Sequence, residues 1–277
     1  IKCFADNNFL VLLSLDGPKD FQDIQRPFKS GKGSYDVIKR HLEYLNSQEG
    51  VSLGCRCTVT PDNMDLQMID EHFLDCGVKY YHIEPATFGP FTWGNEPGFE
   101  EVEMQKYLQQ YGDLIKSTWN RVKDKKFVAY RPVFGEVLQL DRNERRIYPC
   151  GMGTSMFAVS AEGEVYACHR LVGMKEQVLG SVFDPGIKEA VKKYSPADIK
   201  EKEGCSVCWV RNICAGDCPA ESIIVNGDER KPVSRRCMLR QKKVEWAVWL
   251  YSRIKTLQDK SLEDKILSNE FYVNGTC

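Results

Sequence analysis

The sequence predicts an α/β fold, an open parallel sheet or part of a β/α barrel, followed by a small cysteine-rich α+β domain. Three observations carry this expectation. Strand-like and helix-like segments alternate from residue 9 to about residue 122. Seven of the twelve cysteines fall between Cys150 and Cys237, and beyond about Arg142 long periodic segments give way to glycine and short strand-like pieces.

The first strands are expected at 9–15, 51–59 and 78–84, which are rich in Val, Leu, Ile and aromatic residues. Between the first two, Ser34 heads a helical stripe of Tyr35, Val37, Ile38, Leu42 and Leu45. Residues 64–76 read as a second helix. Strands joined by helices of this length run parallel through crossovers, and three strands are too few to close a barrel. A long loop is expected over 85–99, where Gly89, Pro90, Gly94, Pro97 and Gly98 break the rhythm. A long helix follows over 100–122, with Met104, Tyr107, Leu108, Tyr111, Leu114, Ile115 and Trp119 on one face. Residues 156–159 and 164–168 suit a hairpin turning at Gly163, and 235–255 suit a terminal helix burying Trp246, Trp249 and Leu250. The expected division is 1–142, 143–255 and a tail, 256–277.

A chain of 277 residues that is 42% hydrophobic can bury a sizeable core. The formal charge of −1 gives no general signal for nucleic acid or an anionic membrane. No apolar run reaches the roughly 18–20 residues that span a bilayer, and the start lacks a secretory pattern. Cysteines clustered at short fixed spacings point to metal and a reducing compartment, so a cytoplasmic protein is expected. The chain begins at Ile1 and runs almost at once into a strand, as a piece of a longer protein would.

The cysteines read Cys150-x12-Gly163-x4-Cys168, then Cys205-x2-Cys208-x5-Cys214-x3-Cys218, with Cys237 after eighteen intervening residues. A C-x2-C step lets two thiolates from one turn reach one metal centre, while a distant cysteine closes the shell. Spacing alone leaves iron–sulfur clusters, structural zinc and disulfides open. Two zinc sites would need a histidine such as His169 as the eighth ligand.

The complete spacing resembles the SPASM domain, a C-terminal extension of radical S-adenosylmethionine enzymes that modify peptides and proteins. The resemblance implies two auxiliary [4Fe–4S] clusters, an outer one on Cys205, Cys208, Cys214 and Cys237 and an inner one on Cys150, Cys168 and Cys218. Residues 143–149 hold no cysteine, so the inner cluster's fourth position falls to another residue, to substrate or to solvent.

The first half carries its own resemblance. Ser14-Leu15-Asp16-Gly17-Pro18 at a strand end, then Arg26, then Gly31-Lys32-Gly33-Ser34, look like the middle of a radical S-adenosylmethionine β/α barrel. Parallel β/α sites lie at the C-terminal ends of strands, where Ser14 and Asp16 fall. The plainer reading is a turn with a helix cap, and a salt bridge for Arg26. Similarity to the sulfatase-maturing branch implies that Ser14, Asp16 and Arg26 form part of the S-adenosylmethionine site, a guanidinium being suited to gripping its carboxylate. The C-x3-C-x2-C motif that holds the cofactor-cleaving cluster is absent, and Cys55-Arg56-Cys57 has the wrong spacing. That third cluster is expected on an N-terminal barrel half, without which the segment would be inactive.

His41 and His72 are expected at the surface or an interface and Trp93, Trp209, Trp246 and Trp249 in core packing, while His82 and Glu84 stand on a strand that could face a cavity. His169 is the catalytic candidate. Where the sulfatase-maturing branch has an aspartate base this chain has histidine, which argues against formylglycine formation by the same route. Cys168-His169-Arg170 looks like peptide maturases that form thioethers. The expected function is therefore peptide maturation such as cysteine thioether crosslinking. The alternatives are sulfatase-maturase-like oxidation of Ser or Cys and a non-catalytic metal-bound module. The expected partners are a peptide or protein substrate and a reductant such as flavodoxin or ferredoxin.

Overall fold

The computed structural model describes residues 3, 6–7, 9–48, 50–86, 99, 101–124 and 132–268. In chain order the elements are β1 (Leu10–Ser14), α1 (Lys19–Gln25), α2 (Tyr35–Asn46), β2 (Ser52–Val59), α3 (Leu66–Asp75), β3 (Tyr81–Pro85), α4 (Glu101–Lys123) and α5 (Pro132–Asp141). They are followed by β4 (Ala158–Val159), β5 (Glu164–Tyr166), β6 (Val178–Ser181), α6 (Ile187–Lys193), α7 (Arg211–Cys214), α8 (Pro219–Asn226), α9 (Ser234–Lys255) and α10 (Lys260–Leu267). The chain divides into two compact units, one of residues 1–86, 97–142 and 245–277, the other of residues 87–96 and 143–244. The boundary falls inside α9, whereas the sequence division keeps that helix whole with the cysteine-rich part.

In the first unit β1, β2 and β3 form a parallel sheet in that order, with Ser14 opposite Arg56 and Arg56 opposite His82. Strand alternation sorts the side chains by face. Cys55, Cys57, Val59, Tyr81 and Ile83 are buried, while Leu12, Ser14 and Arg56 are exposed. Helix α3 buries Leu66, Ile69 and Phe73 and packs against α4, whose stripe of Met104, Tyr107, Leu108, Tyr111, Leu114 and Ile115 is also buried. Gln110 ties the two helices by accepting from the Leu66 N–H at 2.9 Å. Gly112 admits the Trp246 indole, since a Cβ there would stand 2.4 Å from its Cζ2.

Several local expectations change. Ser34 does not cap α2 with its side chain. Its hydroxyl accepts from Gln22 Nε2 at 2.9 Å, and the Tyr35 N–H instead donates to Asp23 Oδ1 at 2.8 Å. Helices α5 and α10 add to the expected elements; α10 lies in what the sequence reads as a tail and is capped by Asp259, which accepts from the Leu262 N–H. Trp209 is 58% exposed rather than packed. Trp93 and most of the loop at 85–99 lie outside the described residues.

In the second unit β4, β5 and β6 form an antiparallel sheet, the first two joined through Gly163 at φ 86°. Only glycine takes that conformation freely. Strand β6 adds to the expected hairpin. Met152, Tyr166, Ala167, Leu171, Ala220 and Ile223 make the core beneath it. Among the described residues no helix is long and apolar enough to cross a membrane.

Candidate functional site

The end of β1 is organised around Asp16, whose side chain is 1% exposed. Its Oδ2 accepts from Arg26 Nε at 2.6 Å and its Oδ1 from the Thr58 N–H at 2.9 Å. Its own N–H donates to Gln22 Oε1 at 2.8 Å, and its carbonyl accepts from Asn63 Nδ2 at 3.3 Å. One buried carboxylate thus joins β1, β2 and the end of α1. Arg26, 42% exposed, is fixed through Nε. Ser14 lies on the open face of the sheet in a row with Arg56 and His82. Arg56 is the residue that sequence reasoning passed over. The signal was present, since burial of Cys55 and Cys57 puts Arg56 on the opposite face, beside Ser14. Burial pushes the Cys55 thiol up to about 12 and raises Cys57 well above its ordinary value, as suits packed thiols.

In the second unit the thiols act on one another's ionisation. Burial first, then the charge of Cys218, raises the thiol pKa of both Cys150 and Cys168, and Cys150 also acts on Cys168. Cys150 is exposed as a residue, although the atoms crowding its sulfur still raise its pKa. Cys237 is pushed up to about 11 by burial and by Cys214, Cys205 and Cys208. Cys205 is raised by burial and then by Cys214 and Cys208. The charge effects between thiols thus run among Cys150, Cys168 and Cys218 and, separately, among Cys205, Cys208, Cys214 and Cys237.

A sharp turn separates Cys214 from Cys218. Ala215, Gly216 and Asp217 have φ of 54°, 85° and 53°, three successive left-handed residues, two of which carry a Cβ. Such backbone costs on the order of 1–3 kcal/mol per residue and persists only where the surroundings hold it. Here Arg236 grips Asp217 through Nε and Nη2 at 2.7 and 3.1 Å, and Lys202, 2% exposed, donates to the Gly216 carbonyl at 3.3 Å.

Cations surround the thiols. Arg170 Nη1 stands 3.1 Å from Cys218 Sγ and 3.3 Å from Glu221 Oε2, and Arg240 acts on Cys214. Burial holds the Glu221 carboxyl above its ordinary range against the pull of Arg236 and Arg170. His169 is exposed on the turn after Cys168, its Nδ1 3.9 Å from that sulfur. Among the described residues no three His, Cys, Asp or Glu side chains converge as a ready site for a single ion. A four-iron cube spreads its thiolates over separate irons. Four grouped thiols, and three beside a guanidinium, fit that donor requirement.

A parallel α/β unit with an arginine latched at a strand end, in one chain with a unit holding two groups of thiols, is the architecture expected of radical S-adenosylmethionine enzymes with a cysteine-rich extension, which this chain resembles. Its relatives narrow the resemblance to anaerobic sulfatase-maturating enzymes. No family model matches the chain. It is 29% identical over 235 residues to an uncharacterized protein of Archaeoglobus fulgidus, covering 78% of this chain and 52% of that protein. It is 24% identical over 238 residues to a cysteine-type anaerobic sulfatase-maturating enzyme of Clostridium perfringens, covering 78% and 60%. Against a serine-type counterpart of Klebsiella aerogenes the identity is 21% over 235 residues, covering 79% and 54%. The chain therefore spans only part of the length of these relatives. The solved structure of histidine-tagged anSMEcpe with bound AdoMet superposes with a TM-score of 0.74 at 19% identity, covering 98% of this chain and 72% of that one. A structure of the native protein with AdoMet and the Kp18Cys peptide gives 0.71 at 19% identity, covering 91% and 71%. These likenesses fix the mixed α/β fold.

Proposed function

We propose that this chain is the C-terminal part of a radical S-adenosylmethionine enzyme that oxidises a cysteine or serine side chain of a peptide or protein, as in sulfatase maturation. The observation that carries the reading is the division of seven thiols into a group of four and a group of three, in a chain related to sulfatase-maturating enzymes. Those relatives favour this alternative over thioether crosslinking. Cys205, Cys208, Cys214 and Cys237 would hold one [4Fe–4S] cluster, and Cys150, Cys168 and Cys218 three corners of another. When bound, S-adenosylmethionine supplies a hydrogen-abstracting radical and the clusters supply an electron acceptor.

The chain's own contribution is positioning and proton transfer. Arg26, oriented by Asp16, presents its Nη atoms to the cofactor carboxylate, and Ser14 offers a hydroxyl from the end of β1. Asp16 thus acts as the positioning residue for Arg26. His169 is the proton acceptor in place of an aspartate, since imidazole takes up a proton near neutral pH. The first cluster and the remaining barrel strands belong to the longer protein, and a low-potential carrier such as flavodoxin or ferredoxin supplies electrons in the cytoplasm.

The test is to incubate the full-length protein anaerobically with S-adenosylmethionine, reductant and a peptide carrying Cys or Ser at one position. Formation of an aldehyde, trapped with hydroxylamine, is the expected outcome. Loss of the thiol without aldehyde would instead support thioether formation, the reading suggested by Cys168-His169-Arg170.

A further inference from the structure

We propose that Arg170 sets the electron affinity of the inner cluster, its guanidinium donating a hydrogen bond to the Cys218 sulfur and holding the reduction potential up. The proposal rests on the two-cluster reading above and concerns this chain's own residues toward that group. The geometry is specific. Arg170 lies on the turn that follows Cys168, and Cys218 stands at the head of α8, so one side chain bridges the two segments that supply inner-group thiols. Its Nη1 is 3.1 Å from Cys218 Sγ.

The same nitrogen is 3.3 Å from Oε2 of Glu221, whose side chain is 2% exposed and lies three residues after Cys218, on the same side of α8. Glu221 is braced in turn by Arg236, 3.7 Å away, which is itself anchored on Asp217. A guanidinium already anchored on a buried carboxylate is preorganised and loses little freedom when it bonds to sulfur.

The consequence follows from charge. One-electron reduction of a cluster adds a negative charge, and a neighbouring cation with an N–H aimed at a ligand sulfur favours the more negative state. Hydrogen bonds to sulfur and local net charge are among the factors that set cluster potentials. The inner group has only three thiols, so one arginine offsets a larger share of its ligand charge than it would in a four-thiol group.

The experiment is a potentiometric titration of the full-length, reconstituted protein followed by electron paramagnetic resonance. The inner signal is identified as the one removed by Cys218→Ala. Iron and sulfide analysis of the wild type comes first, and absence of two clusters would overturn the underlying reading before Arg170 is tested. With both clusters present, Arg170→Gln is expected to weaken the inner cluster's electron affinity about tenfold, or about 59 mV for one electron, leaving the outer cluster unmoved. Arg170→Lys keeps the charge but not the fork and is expected to shift the same way by less. An inner midpoint equal to wild type in Arg170→Gln would overturn the proposal. Should that variant lose the inner cluster, Arg170→Lys decides: a lowered midpoint supports the proposal and an unchanged one overturns it.

Discussion

Replacing Asp16 by asparagine removes the charge from a buried carboxylate while keeping its size, and so isolates what that carboxylate does for Arg26. The asparagine carbonyl can still accept from the Thr58 N–H, as Oδ1 does at 2.9 Å. Its Nδ2 then faces Arg26 Nε where Oδ2 now accepts at 2.6 Å, and two donors meet. A hydrogen bond to a charged group contributes about 1.5–3 kcal/mol, and the 42% exposure of Arg26 lets water compensate in part, so a folding loss of about 2 kcal/mol is expected. Released from Nε, Arg26 loses its orientation, and S-adenosylmethionine should bind about tenfold more weakly, a cost of about 1.4 kcal/mol. Urea unfolding reads the first effect and calorimetric titration of the full-length protein reads the second. The decisive comparison is the double variant. If Asp16 acts through Arg26, Asp16→Asn in an Arg26→Ala background costs no further affinity. Losses that add would refute the positioning argument and make Asp16 a direct contact.

Anaerobically prepared protein of this chain alone should carry about eight iron and about eight sulfide from two auxiliary clusters; zinc without labile sulfide, by metal analysis, would contradict this. Gly216→Ala places a Cβ 2.4 Å from Lys202 Cδ in a left-handed residue. It should lower the unfolding free energy by about 1–3 kcal/mol in denaturant titration, and an unchanged midpoint would show that the turn between Cys214 and Cys218 is not rigidly held. Glu263 is held below its ordinary 4.5 by hydrogen bonds from Lys255 and Lys260, at 2.7 and 2.5 Å. A carboxyl depressed in the folded state contributes fully above that ordinary value and loses its contribution as pH falls through the folded one. Denaturant midpoints of Glu263→Gln should therefore fall off less steeply than wild type below about pH 4.5.

The parallel sheet was legible because its signals are local. Apolar runs of strand length, separated by helical stripes, locate β1, β2 and β3 within a few residues. Spacing alone brings together only near neighbours such as Cys205 and Cys208, and the division of all seven cysteines into two sets rested on the resemblance. What escaped were features set by distant partners. The hydrogen bonds to Asp16 are one, since only the fold brings Thr58 and Asn63 onto it from more than forty positions away. Arg170 was noted only as part of a tripeptide, because Glu221 lies 51 residues on. Ser34 fitted the N-cap pattern, yet Gln22 claims its hydroxyl, so the tertiary hydrogen bond displaced the local one.

His169 is where residue chemistry and kinship pull in different directions, and the surroundings bear on the choice. A carboxylate base becomes neutral when it takes a proton, whereas an imidazole becomes a cation. Beside Arg170 alone, the new charge would be opposed. But His169 also directly follows Cys168, its Nδ1 3.9 Å from that sulfur, beside thiols that would carry negative charge in the proposed cluster. An imidazolium there is offset by the same thiolates that Arg170 partly neutralises. Exchange of aspartate for histidine thus leaves the proton-accepting role electrostatically feasible while moving its working range toward neutrality. If His169 is the base of the proposed reaction, the substitution that argued against sulfatase-type oxidation changes the pH range of that base without removing one, and the relationship to sulfatase-maturating enzymes keeps its weight.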